Sequence, residues 1–510
     1  MIKTIKDISE FYSAIILLTA LLFCIILGVI NTTLLIALIV TISTLSITIS
    51  AFRFSYSIPT VIGIMSGIHL LILIVLYSYF GLNVLEMNIL ASWKELVIVE
   101  AFTLFLLDAI VTKRKTVFTV TIVDRLIFIY LIFNFIYIFI SYAIPQMSLG
   151  FGPILNGFRI QSMMVLSYFT GRMVLERKKN THYSFLKTLV IFGSVISFLA
   201  VVEVVVDPIP LLNSIKFEKY LVDISGTDPS EIQNGVVTTY FSSFENQVGE
   251  AFRWRRSASV YFSPIVFGQV LIIIMPITLS YFLDGKVKGI HLFIQLAGLL
   301  SSISRGPIIG ALIACITVFI LKTQTKLKFK KSLMLGFYIF MPIIAYASYD
   351  YFVASVTLTD SSAISRVVAW ANSVDYIIEH PFGGGLAASD FKFFGGEEKF
   401  GGGESELFEI TSRIGWIGIF IYLIINYKIL NLSKKYSREG NYIIQFLSVI
   451  IFSITIGIFF QSIVNRIWKH PFIPFVYGWI LALWVTEFIQ YRKLISFKKN
   501  VIATTKNVSR

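Results

Sequence analysis

Apolar residues in this chain come in long runs separated by short polar gaps, with little alternation inside a run. A helix that crosses a bilayer needs about 20 mostly apolar residues. Fourteen runs qualify as candidate spans: 14–30, 33–52, 58–80, 95–111, 122–143, 159–175, 185–206, 264–283, 289–302, 306–321, 332–348, 407–427, 442–464 and 471–488. Three of them are less regular: 95–111 and 289–302 are short, and 159–175 is interrupted by Gln161, Ser162, Ser167, Thr170 and Gly171. The pattern predicts an all-α polytopic membrane protein of about 14 transmembrane helices.

The gaps set the organisation. Two are long, 207–262 and 349–406, and the others are short. Long loops are usually functional or disordered. These two carry aromatic residues and helical patches, such as the apolar spacing from Ile364 to Ile378, which predicts short helices at the membrane surface. The chain therefore divides into spans 1–7 (1–206), a first large loop (207–262), spans 8–11 (263–348), a second large loop (349–406), spans 12–14 (407–490) and a basic tail (491–510).

Charge orients this arrangement. With the N-terminus inside, 29 of the 43 Lys and Arg fall on the cytoplasmic side, but only 8 of the 29 Asp and Glu. The clusters Lys113-Arg114-Lys115, Arg177-Lys178-Lys179, 322–331, Lys434-Lys435 and the tail from Arg492 all lie inside. Basic residues accumulate on the cytoplasmic side of membrane proteins, so both termini are expected there and both large loops outside. The net charge of +14 is thereby explained without a nucleic-acid partner. A hydrophobic content of 56% and a mean hydropathy of +0.80 exclude a soluble globular protein. Cys24 and Cys315 both sit in apolar runs without a CxxC partner or nearby histidines, so neither a disulfide nor a metal site is expected. No cleavage site follows 14–30, and the chain shows no internal repeat of the kind that marks many transporters.

Candidate chemistry concentrates outside. Arg253, Arg255 and Arg256 precede the span at 264, Arg305 sits in a tight outer connection, and Arg366 belongs to the second loop. Arginine grips phosphate oxygens bidentately, so arginines from separate loops suit a lipid pyrophosphate; each also suits an interfacial or ion-paired position. His380-Pro381 is followed by Gly383-Gly384-Gly385, which let the backbone turn sharply, either toward a ligand or simply as a loop. No strand precedes these glycines, which rejects a nucleotide fingerprint. His380 suits a general base or a helix end. Glu404 and Glu406 suit acid–base work or the start of a helix, and Glu409–Arg413 an i,i+4 pair stabilising that helix. His69, Glu100, Asp108, Glu203 and His291 fall within spans without relay spacing.

The order of these features resembles the O-antigen ligase and polymerase superfamily of bacterial envelope polysaccharide synthesis. The matching stretches are Arg256 to Pro264, Ser304-Arg305-Gly306, then Arg366, Trp370, His380-Pro381 and Gly383/Gly385, and lastly a helix ending in Gly415-Trp-Ile-Gly418. Ligase-type members carry His-Asn before that helix; here the residues are Glu404-Ser405-Glu406, and the Asn of an Asn-Pro motif is absent before Pro264. Both departures favour a repeat-unit polymerase over a ligase. The resemblance implies metal-independent, inverting glycosyl transfer without a cofactor, at the outer face of the bacterial inner membrane. The donor would be an undecaprenyl-pyrophosphate-linked oligosaccharide, with a chain-length regulator and a flippase as possible partners. Arg256, Arg305 and Arg366 would hold the pyrophosphate, and Glu404, Glu406 or His380 would take the acceptor proton. A lipid-linked oligosaccharide flippase is the rival from another class; it would predict paired repeats and short loops.

Overall fold

The computed structural model describes residues 32–53, 57–111, 119–143, 151–177, 182–206, 208–223, 232–233, 236–237, 241–245, 251–323, 361–388 and 405–508. The helices are α1 (Thr32–Arg53), α2 (Ser57–Phe80), α3 (Val84–Ala91), α4 (Trp93–Val111), α5 (Ile122–Ala143), α6 (Phe151–Arg177), α7 (His182–Val205), α8 (Ile209–Ser214) and α9 (Phe217–Asp223). After the first large loop come α10 (Pro264–Leu283), α11 (Gly289–Ser301), α12 (Arg305–Thr323), α13 (Ser361–Glu379), α14 (Glu406–Tyr436), α15 (Tyr442–Val464) and α16 (Phe472–Val508). The fold is that of a polytopic helical membrane protein.

Two expected spans, 14–30 and 332–348, lie outside the described residues; each of the other twelve falls in a helix. Among the described residues seven helices are long and apolar enough to cross a membrane, or eight if the bent α2 counts as one span. The difference has a physical source. The helices that miss the threshold are short, like α11, or carry polar residues that neighbouring helices satisfy. Glu100 of α4 accepts from Thr44 at 2.9 Å, and Gln161 of α6 accepts from Tyr130 at 2.6 Å. A polar group in hydrocarbon needs such a partner.

α10 and α16 form the middle of the bundle, with 83% and 94% of their most apolar windows buried, against 28% for α5 and α12. α5 presents an outward stripe of Phe128, Ile132, Phe135 and Phe139, all exposed at helical spacing, as a lipid-facing helix should. α16 packs along α6, and α12 lies between α10 and α15. α12 and α15 approach backbone to backbone: a Cβ on Gly457 would stand 2.8 Å from the Gly310 carbonyl oxygen.

One end of the bundle is clamped by a buried ion pair. Arg172, with no exposed surface, donates from Nε to Asp124 Oδ1 at 3.1 Å, from Nη1 to Thr486 at 2.6 Å and from Nη2 to the Thr119 carbonyl at 2.9 Å. Tyr168 donates to the same Asp124 oxygen, and the Thr121 amide and hydroxyl bond the other. The first large loop contains the expected short helices, α8 and α9, and in addition two antiparallel ribbons, β1 (Ile232–Gln233) with β2 (Val236–Val237) and β3 (Phe241–Glu245) with β4 (Ala251–Arg255). The β3–β4 ribbon pairs Phe241 with Arg255 and so returns the chain directly to Arg256.

Candidate functional site

Arg256 enters a short turn that ends in a 3₁₀ helix, Ser259–Tyr261. Glu203, at the end of α7, organises this turn: its Oε2 accepts the amides of Ala258 (3.0 Å) and Ser259 (2.7 Å) and the Ser257 hydroxyl (3.2 Å). Ser259 and Phe262 take φ of 52° and 51°, a left-handed conformation that non-glycine residues adopt only under constraint. So fixed, Arg256 donates from Nε to the Ser302 carbonyl at 3.1 Å and from Nη2 to Ser304 Oγ at 2.5 Å. Ser304 directly precedes Arg305, the first residue of α12, so two of the arginines expected from separate loops meet at one turn. Arg255 instead donates to the carbonyls of Glu203, Val204 and Val206 at the C-terminal end of α7, a helix-capping use.

The second component is the turn after α13. His380 closes that helix, its ring stacked on Tyr376 with centroids 4.4 Å apart and its Nδ1 donating to the Tyr376 carbonyl at 3.2 Å. Gly383 and Gly385 follow with φ of +80° and +97°. They bring the backbone against α14 and Ser141. The Gly384 amide bonds the Ser412 carbonyl at 2.7 Å, the Gly385 amide bonds the Arg413 carbonyl at 3.1 Å, and the Trp416 amide returns to the Pro381 carbonyl at 3.1 Å. These carbonyls are available because α14 is broken at Ile414 and Gly415, where φ and ψ are −124°, 15° and 69°, −173°. The Gly-x-x-Gly pattern therefore interrupts its helix, which runs on to Tyr436, and does not end it. A Cβ on Gly415 would lie 2.5 Å from the Phe382 carbonyl carbon, and one on Gly383 would lie 2.6 Å from the Arg413 oxygen. The Leu386 amide bonds Ser141 Oγ at 2.8 Å and Tyr137 donates to the Phe382 carbonyl, which fastens the turn to the C-terminal end of α5.

The broken helix carries the third component. Glu409 and Arg413 form more than an exposed helix pair. Both are buried, Arg413 Nη2 lies 2.7 Å from Glu409 Oε1, and Arg466 Nε lies 2.7 Å from Glu409 Oε2. Glu406, 1% exposed, does not cap its own helix. Its Oε2 accepts the amides of Ile467 (3.0 Å) and Trp468 (3.2 Å), holding the connection between α15 and α16 that carries Arg466. Gln269 of α10 bonds the Arg466 carbonyl at 3.1 Å. Gly306 packs on the same connection, where a Cβ would lie 2.7 Å from Asn465 Nδ2. The Arg305 turn and the Arg466 turn are thus neighbours.

Arg466 was missed by sequence reasoning; the signal was an arginine and a second His-Pro, His470-Pro471, in a short connection between two apolar runs. Arg366 lies on α13 one turn before Trp370, whose ring meets Phe408 of α14 with centroids 6.3 Å apart; the Arg366 side chain and all of Glu404 lie outside the described residues. Among the described residues no group of three His, Cys, Asp or Glu is placed to hold a metal ion.

Two arginine-bearing turns beside a buried acid pair can bind an anion and stabilise charge that develops on it. No curated protein matches the chain. Residues 290–423 match the family model of the O-antigen ligases, a stretch that contains Arg305, α13, the glycine turn and the break in α14, and this match is consistent with an O-antigen ligase and polymerase-like protein.

Proposed function

We propose that the protein polymerises undecaprenyl-pyrophosphate-linked oligosaccharide repeat units at the outer face of the bacterial inner membrane. The observation that carries this reading is the meeting of the Arg256, Arg305 and Arg466 turns against the buried Glu406–Glu409–Arg413 group. In the reaction an acceptor sugar hydroxyl attacks the anomeric carbon of the donor glycan. The bond from that carbon to the pyrophosphate oxygen breaks, its electron pair leaves with the lipid pyrophosphate, and the anomeric centre inverts. Arg256, Arg305 and Arg366 would hold the pyrophosphate and oppose its growing charge, the place a divalent cation would otherwise fill.

Glu404 is the residue we assign to take the acceptor proton. Glu406 is committed to the Ile467 and Trp468 amides, and His380 directs Nδ1 into its own helix. A ligase that passes the glycan to another acceptor is the nearest alternative, and the residues 404–406 weigh against it because they replace the His-Asn of ligase-type members. Deleting the gene and running the surface polysaccharide on a gel tests both. Loss of the ladder with a single repeat unit retained is the expected result; loss of all attached sugar means a ligase, and lipid-linked units trapped inside mean a flippase.

A further inference from the structure

A second polar cluster lies against the Arg466 turn. The same connection carries His470, whose ring meets Tyr261 edge-on with centroids 5.2 Å apart. Tyr261 closes the 3₁₀ turn that follows Arg256, and α2, which carries His69, packs on that turn. Lys94 and Glu95 at the start of α4 complete the group with Arg159 of α6. Lys94, 5% exposed, donates to the Ala91 carbonyl at 2.6 Å and lies 3.6 Å from Glu95; Arg159 lies 3.5 Å from Glu95. Lys94 is within electrostatic reach of both imidazoles, and His470 of His69.

Three buried polar atoms here have no protein hydrogen-bond partner among the described residues: Tyr261 Oη, His69 Nδ1 and His470 Nδ1. Tyr261 is 3% exposed. Buried polar atoms need partners, which the Asp124–Arg172 clamp finds within the protein. The set mixes donors with acceptors. Burial, and after it the Lys94 ammonium, hold His470 down at about 3, so its ring is neutral. Lys94 and Arg159 both pair with the Glu95 carboxylate, so the cluster keeps little free positive charge for a phosphate. A polyhydroxylated ligand matches better, since each hydroxyl both donates and accepts.

We propose that His69, Tyr261 and His470 form a carbohydrate subsite that binds sugar hydroxyls of the glycan next to the arginine turns. The assignment rests on the reading of the chain as a glycan-transferring enzyme. The probe is the repeat-unit oligosaccharide freed from its lipid carrier by mild acid, titrated calorimetrically against the full-length protein in lipid nanodiscs. Tyr261→Phe and His69→Leu should each weaken binding about three- to tenfold, the worth of one hydrogen bond. Because each variant removes a polar atom that lacks a protein partner, thermal stability without sugar should hold or rise, which a purely structural role would not allow. Unchanged affinity in both variants, or no binding to the parent protein, overturns the subsite. The gene-deletion gel is independent of this result. Polymer that persists without the gene, while freed glycan still binds, removes the polymerase reading and leaves the subsite standing.

Discussion

Single residues in this site divide into those that face substrate in the proposed reaction and those that place them. Arg256 holds Ser302 and Ser304 with two different nitrogens of one rigid fork, a geometry lysine cannot copy. Arg256→Lys should lower chain elongation by about a hundredfold or more, the usual effect of removing one donor to a developing oxyanion, with membrane expression retained. The ladder on a gel, normalised to protein level, checks this. The two glutamates part in the same assay. Glu404→Gln should lose on the order of a hundredfold or more as the acceptor base. Glu406→Gln keeps a carbonyl oxygen for the Ile467 and Trp468 amides and should lose less than about tenfold. The reverse order would move the base to Glu406. Glu203 shows why a charge in a span need not be part of a relay: three donors converge on one of its oxygens, and it positions the Arg256 turn.

At the scale of elements, α14 is the piece on which the site depends. Its break at Ile414–Gly415 frees two carbonyls, and the glycine turn after α13 fills them. Neither feature is stable alone, because a broken helix leaves unpaired carbonyls and a tight glycine turn leaves unpaired amides. Gly415→Ala should fail on two counts. Its φ of 69° costs about 1–3 kcal/mol for a residue with a side chain, and the new Cβ would strike the Phe382 carbonyl. The expected outcome is loss of polymer with the protein still inserted, together with faster proteolysis of the 380–388 segment, read by limited proteolysis in membranes. The order Arg366, Trp370, His380-Pro381, glycines and Gly415 was legible as a motif. That its glycines serve a backbone-to-backbone contact was not, since positive φ at Gly383 and at Gly415 look unrelated until the two turns are docked.

For the molecule as a whole, α5 joins two ends with different tasks. Its N-terminus carries Asp124 of the buried clamp, and its C-terminus carries Tyr137 and Ser141, which fasten the glycine turn. Removing one partner of a buried ion pair leaves the other charge uncompensated and typically costs about 3–5 kcal/mol. Arg172→Met should therefore lower the thermal stability of the detergent-purified protein sharply. Asp124→Asn combined with Arg172→Met should recover much of that loss, a coupling that a double-mutant cycle on melting temperatures measures. Equal losses that simply add would show that the clamp is not a unit.

The sequence by itself determined that the chain is built of membrane helices, because hydrocarbon demands long apolar runs and tolerates little else. It also determined most of the residue types at the site: arginines, glycines and glutamates stand out in a chain that is 56% hydrophobic. Only the tertiary structure decided what each of them touches. Arg255 caps a helix while its neighbour Arg256 grips the Arg305 turn, a difference no spacing encodes. Glu409–Arg413 reads as a helix pair until Arg466 arrives from a connection more than fifty positions away. Burial and partner choice come from how helices distant in the chain pack, and local sequence carries only the helices themselves.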